Sequence, residues 1–148
     1  RRVVQDEYAS FAVRLEQLPQ QSPLDRLLAA VDLIAVHYTA EPEFYRGLYA
    51  AMTGGEANPL RDVMSQEGQH LWGDMVGSAI EAGELAPLLG AEDLTGLLLR
   101  SVAGTVEAWL AESWDDARFA AEMRRVSRLL VLGLVDAKRA AELKAALA

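Results

Sequence analysis

The chain has 148 residues, 51% of them apolar, with no cysteine and a formal net charge of −8. That length suits one domain with a core of its own, the apolar share excludes a disordered chain, and the missing cysteine excludes disulfides and thiolate metal sites. The acidic balance argues against nucleic-acid binding by this chain, since phosphate contacts need a basic surface, and no apolar run approaches the roughly 20 residues of a membrane-spanning helix.

Val4, Tyr8, Phe11, Leu15 and Leu18 recur at steps of four and three, which predicts an amphipathic helix over residues 2–18. Its first turn has no capping residue and the sequence begins at Arg1, so a preceding segment is expected. Pro19 and Pro23 bracket a short polar loop. Ser22-Pro23-Leu24-Asp25 is a start signal, with a capping serine, proline at the first helical position and aspartate in the first turn. The helix it opens runs to about Tyr38 and is apolar on most sides. Pro42 opens a short helix carrying Phe44, Tyr45, Leu48, Tyr49 and Met52, closed by Gly54-Gly55. Asn58-Pro59 repeats the cap-then-proline pattern and begins a long helix to about Ala82. Gly83 reads as its left-handed terminator, with Leu85 supplying the apolar contact. Gly73 and Gly77 share one face of that helix, a notch where a helix or ligand can come close.

The stretch from Glu92 to Leu134 reads as a helical hairpin. The first helix carries Leu94, Leu97, Leu98, Val102, Val106 and Trp109 to about Glu112. The second follows Ser113, whose side chain can cap it with Asp116 completing a capping box. Phe119, Met123, Val126, Leu130 and Leu134 form its apolar stripe, and Leu129, Leu132 and Val135 widen it beyond what one neighbour covers. Gly104 and Gly133 each cost about 1 kcal/mol against alanine inside a helix, which suggests close approach of another backbone. Residues 136–148 read as a helical extension with its docking left open. No strand alternation or repeat is present, so the expected fold is all-α, a single domain over 1–148 of about six helices.

Two histidines invite a metal or catalytic reading. Glu67 and His70 have the Glu-x-x-His spacing of di-iron bundles, but that chemistry needs the motif twice plus two more glutamates. No metal and no cofactor is expected. His37, on a nearly buried helix, is either a hydrogen-bonded core histidine or a ligand contact. No nucleophile elbow or phosphate-cradling glycine loop is present.

Arg1 to Leu18, the Ile80-Glu81-Ala82-Gly83-Glu84-Leu85 ending, and Leu98 to Leu134 with Gly104, Trp109 and Leu129-Leu130-Val131-Leu132-Gly133-Leu134 together resemble the C-terminal domain of TetR-family (tetracycline-repressor-like) transcriptional regulators. The resemblance implies a TetR-like helical bundle whose last two helices form the dimerisation hairpin. It also implies a cytoplasmic homodimer that binds a small hydrophobic or aromatic effector, with DNA contacted only through a helix-turn-helix of about 45 to 50 residues ahead of Arg1. The family's pocket helices correspond to those carrying Tyr38, Phe44, Tyr45, Tyr49, Met52, Met64, Trp72, Met75 and Trp109, each of which can equally be plain core. The expected ligand contacts are His37, Tyr45, Tyr49, Met52, Trp72, Met75, Thr105 and Trp109, with Gln69 and Asp74 as further polar candidates. The expected dimer interface is Leu97, Ser101, Gly104, Ala108, Phe119, Met123, Val126, Leu130 and Leu134. The net charge favours a neutral or cationic apolar ligand. The rival readings are a ligand-free dimerisation module and a helical-bundle enzyme.

Overall fold

The structure, a computed structural model, describes residues 2–52 and 59–147, and the side chains of 5–52 and 66–147. Gly54, Gly55 and Asn58, read above as helix punctuation, and the side chains of Val4 and Met64 lie outside the described residues. Among those described there are seven helices and no strand: α1 (Arg2–Glu16), α2 (Pro23–Thr39), α3 (Pro42–Met52), α4 (Pro59–Glu81), α5 (Ala91–Glu112), α6 (Asp116–Val131) and α7 (Ala137–Leu147).

Capping chemistry sets most of these boundaries. Ser22 Oγ accepts from the Asp25 amide at 3.2 Å, with Pro23 as the first helical residue. A second acceptor reaches the same helix end from far along the chain, since Glu84 Oε1 takes the Leu24 amide at 3.1 Å. A carboxylate there also meets the positive end of the helix dipole. Gly83 takes φ +76°. The Glu84 amide then donates to Ala79 O and the Gly83 amide to Ile80 O, which closes α4 as a Schellman turn, and Leu85 is buried beneath it.

The α5–α6 turn departs from expectation. Ser113 does not cap α6; it ends α5 in the left-handed conformation (φ 54°, ψ 44°). Asp115 is the cap, its Oδ1 accepting from the Arg118 amide at 2.8 Å. Aspartate and serine cap comparably well, so the left-handed Ser113 decides between them by carrying the chain two residues further before α6 can start. That helix also stops at Val131 rather than Leu134.

Helices α2, α4, α5 and α6 form a ring in which α2 packs on α4 and α6, and α5 closes the other side against the same two. Helices α1 and α3 lean on the α2–α4 edge, and α7 follows α6. The expected last-two-helix hairpin is therefore α5–α6, with a seventh helix after it. Asp136 starts α7 by accepting the Arg139 amide at 2.8 Å. Buried Leu143 and an ion pair from Arg139 to Asp25 then dock the tail near the start of α2. Across the ring, Arg128 on α6 grips Asp32 on α2 through both carboxylate oxygens at 2.6 and 2.7 Å. This fork is worth more than a surface pair because the Arg128 side chain is only 11% exposed.

The expected close approach at several glycines is not found within the protomer. A Cβ added at Gly73, Gly77, Gly104 or Gly133 would meet nothing within 4 Å. Gly68 is tight against two other helices, since a Cβ would stand 3.3 Å from Tyr8 Oη and 3.4 Å from Leu99 Cδ1. Its missing side chain lets α1 and α5 approach α4 from two sides.

Candidate functional site

Five helices converge on a cavity of about 610 Å³. Helix α1 contributes Glu7, Tyr8 and Phe11, and α2 contributes Ile34, His37 and Tyr38. Tyr45, Leu48, Tyr49 and Met52 come from α3, and Gly68, Gln69 and Trp72 from α4. The α5 wall is Gly96, Leu99, Arg100, Val102, Ala103 and Glu107. The volume lies in the range of small-molecule sites, and so does the make-up, mostly apolar walls with a few polar groups.

Of the residues expected to contact a ligand, His37, Tyr45, Tyr49, Met52 and Trp72 line this cavity, and so does Gln69. Met75, Thr105 and Trp109 do not. Trp109 faces the other side of α5 and stacks on Phe119 of α6, with ring centroids 4.3 Å apart and planes within 5°. Thr105 spends its hydroxyl on the Ser101 carbonyl at 2.8 Å, one turn back in its own helix. Met75 is buried core, and Asp74 is exposed on the far face of α4. The turns of α4 and α5 explain the split. On α5 the series Leu94, Leu98, Val106 and Trp109 faces the core, while Gly96, Leu99, Arg100, Ala103 and Glu107 lie on the adjoining face turned to the cavity.

The sequence reading missed the α1 wall, and on α5 it chose Thr105 and Trp109 rather than the residues that line the cavity. Glu7 precedes the recognised stripe residue Tyr8, and Gly96-x-x-x-Arg100 puts a glycine and a cation one turn apart on the same face. That spacing was visible in the sequence, but nothing in it announces an inward face.

The aromatic rings make a continuous wall. Tyr38 and Tyr45 stack at 3.8 Å, and Phe11 meets His37 edge-on at 5.4 Å and Trp72 at 5.8 Å. Glu7 Oε1 engages His37 Nε2, tying α1 to α2 at the cavity. A carboxylate only accepts, so the proton in that contact sits on His37 Nε2 when Glu7 is ionised. The other ring nitrogen, Nδ1, and the Tyr45 hydroxyl are buried with no hydrogen-bond partner among the described residues. Burial pushes the Tyr49 hydroxyl up to about 12, against a lowering pull from the Tyr38 hydroxyl and with a further push from Glu107. Burial likewise raises Tyr8 and Tyr38, helped in each case by Tyr49. At neutral pH these hydroxyls are therefore uncharged hydrogen-bonding groups.

The expected dimer surface divides in two. Phe119 and Met123 are completely buried inside the protomer and have no surface to give a partner, which corrects their assignment to the interface. Leu97 and Gly104 are exposed on α5, with Ser101 and Ala108 partly so. Val126, Leu130 and Leu134 are half-buried, and Leu129 beside them is 58% exposed.

Comparison of the chain with family models, with curated proteins and with solved structures gave no match.

Proposed function

We propose that this chain is the effector-binding and dimerisation domain of a TetR-like transcriptional regulator, one that binds a small, largely apolar molecule between its helices. The observation that supports this reading above any other is the cavity of about 610 Å³ with α1 as one wall. A ligand-free dimerisation module has no use for an aromatic-lined space of that size, because unfilled volume forfeits packing contacts. In this reading α1 is the element that reports occupancy. Glu7, Tyr8 and Phe11 all stand on it, and a ligand that binds one placement of α1 better shifts the population toward that placement. The tyrosine and histidine groups orient the ligand rather than act as acid or base.

The test is a thermal-shift and fluorescence screen against apolar compounds. Trp72 lines the cavity, so binding changes intrinsic emission, and occupancy raises Tm by mass action because the unfolded chain has no cavity. Trp72→Ala should abolish the fluorescence response. A panel of apolar compounds that moves neither signal sinks the reading. Dimerisation is checked separately. Leu97 and Leu129 remain exposed on the α5–α6 hairpin, and Leu129→Arg should convert a dimer to a folded monomer by light scattering. A dimer that persists would place the interface off this hairpin.

A further inference from the structure

The cavity carries an asymmetry that its apolar walls conceal. Arg100 is exposed at its edge on α5 and makes no ion pair with any described residue. It lines both the main cavity and a neighbouring depression of about 390 Å³ formed by Gln69, Leu89, Glu92, Asp93, Gly96 and Leu97. Gly96 sits where the two meet. A Cβ there would be 3.3 Å from Arg100 Nη1 and 3.8 Å from Gln69 Nε2. The guanidinium and the side-chain amide of Gln69 thus converge over a bare stretch of α5 backbone, on the threshold between cavity and solvent. Among the described residues that line the main cavity, Arg100 alone carries a guanidinium or ammonium group, and the Nε2 of His37 is engaged by Glu7.

Resting on the effector-binding reading above, we infer that the ligand is a singly charged amphiphile, an apolar body in the cavity and a carboxylate held at the mouth by Arg100 and Gln69. Physical reasons favour that arrangement over its reverse. A buried carboxylate would lose its hydration without compensation, but at the mouth it keeps water on one side and gains a charge-assisted bond on the other. A guanidinium presents donors only, so its natural partner is an oxygen acceptor, and Gln69 adds a further donor beside it. The carboxylates of the lining do not crowd this point. Glu7 is bound to His37, and Glu107 lies seven residues along α5 from Arg100, roughly 10 Å of helix rise. Glu92 and Asp93 line the outer depression together with Arg100, so they oppose the head as well as any second negative charge, and the direct guanidinium contact has to outweigh them. This departs from the neutral or cationic ligand that the net charge of −8 favours, because a charge-assisted bond made in contact with the head outweighs charges that act through solvent at longer range.

The experiment uses three probes with one ten-carbon tail: decanoate, decanol and decylammonium. Each is titrated at neutral pH into the wild-type chain, Arg100→Gln and the control Arg125→Gln, with Trp72 fluorescence and Tm as readouts. Arg125 is exposed on α6 and among the described residues pairs with Glu122 alone, so its variant makes the same change in net charge away from the cavity. The wild type and Arg125→Gln should bind decanoate about tenfold more tightly than decanol, the size of one partly solvated charge-assisted hydrogen bond, and decylammonium most weakly. In Arg100→Gln the decanoate preference should collapse to within about twofold, a difference of about 0.4 kcal/mol. Equal binding of decanoate and decanol to the wild type, tighter binding of decylammonium, or a preference that survives in Arg100→Gln overturns the inference and leaves the cavity reading standing. If none of the three tails binds any protein, the effector-binding reading itself falls, and this inference with it.

Discussion

Around Phe119, helices α5 and α6 close on each other through stacked rings. Phe119 and Met123 are completely buried, Trp109 stacks flat on Phe119, and Arg128 locks α6 to Asp32 of α2. Around Tyr49 the other face of α5 looks across about 610 Å³ at α1, α3 and α4. Aromatic residues are plentiful in both places, so residue type does not separate them. What differs is the residue standing opposite. At the closed end a ring meets another ring, Trp109 against Phe119. At the open end the rings border the cavity, and the α5 wall includes Gly96 and Ala103, which carry little or no side chain. Packing thus depends on pairs of faces, and an apolar stripe becomes core or cavity wall according to its partner.

The largest expected effect tests that contrast directly. Phe119→Ala removes a completely buried ring and should cost about 4 kcal/mol in urea denaturation. Trp72→Ala should cost less, about 2 kcal/mol, below the usual range for so large a side chain. One face of Trp72 already borders open volume, so fewer contacts are lost. An equal or larger loss at Trp72 would mean that the cavity closes around it in solution.

A pair of enlargements gives a smaller but sharper comparison. Ala79 is wholly buried near the end of α4, whereas Ala103 lines the cavity. Ala79→Leu should destabilise by about 1 to 3 kcal/mol through overpacking. Ala103→Leu projects into free space and should change stability by no more than about 0.5 kcal/mol, while abolishing any ligand-induced thermal shift. If both enlargements cost the same, the two ends are equally filled and the contrast is lost.

How much of this was legible in the sequence follows from how far each signal reaches. Ser22-Pro23 and Gly83 name their roles because a cap or a left-handed turn is settled within about four residues, and the structure places both as read. Ser113 and Asp115 are two adequate caps two positions apart, and backbone geometry chose between them. Trp109, Met75 and Thr105 were expected at a ligand because they are large or polar on the right helices. Which way they point depends on the rotation of α4 and α5 against the helices packed on them, such as α6 with Phe119 beneath Trp109. Phe119 and Met123 belong to a genuine apolar stripe, yet a stripe does not say whether its cover is the same chain or another. Arg100 carries no signal of its own, because a lone arginine in a helix usually marks a solvated face. Only Gly96 and Gln69 beside it give that position a direction.

The smallest effect comes from a single oxygen and has an unusual sign. The Tyr45 hydroxyl is buried without a hydrogen-bond partner among the described residues, and an orphaned hydroxyl costs about 1 to 3 kcal/mol of lost solvation. Tyr45→Phe keeps the ring and its 3.8 Å stack on Tyr38 and removes only that cost. The variant should therefore be at least as stable as the wild type, with a gain of up to about 1 kcal/mol and an unchanged urea m value. Tyr49→Phe is the matched control, because its hydroxyl interacts with that of Tyr38, and it should lose about 1 kcal/mol. A loss at Tyr45 as large as that at Tyr49 would show that the hydroxyl is hydrogen-bonded in solution. A stabilised Tyr45→Phe that also binds ligand more weakly would identify the orphaned oxygen as a group the ligand satisfies, placing the cost of the empty state and the polarity of the bound one on the same atom.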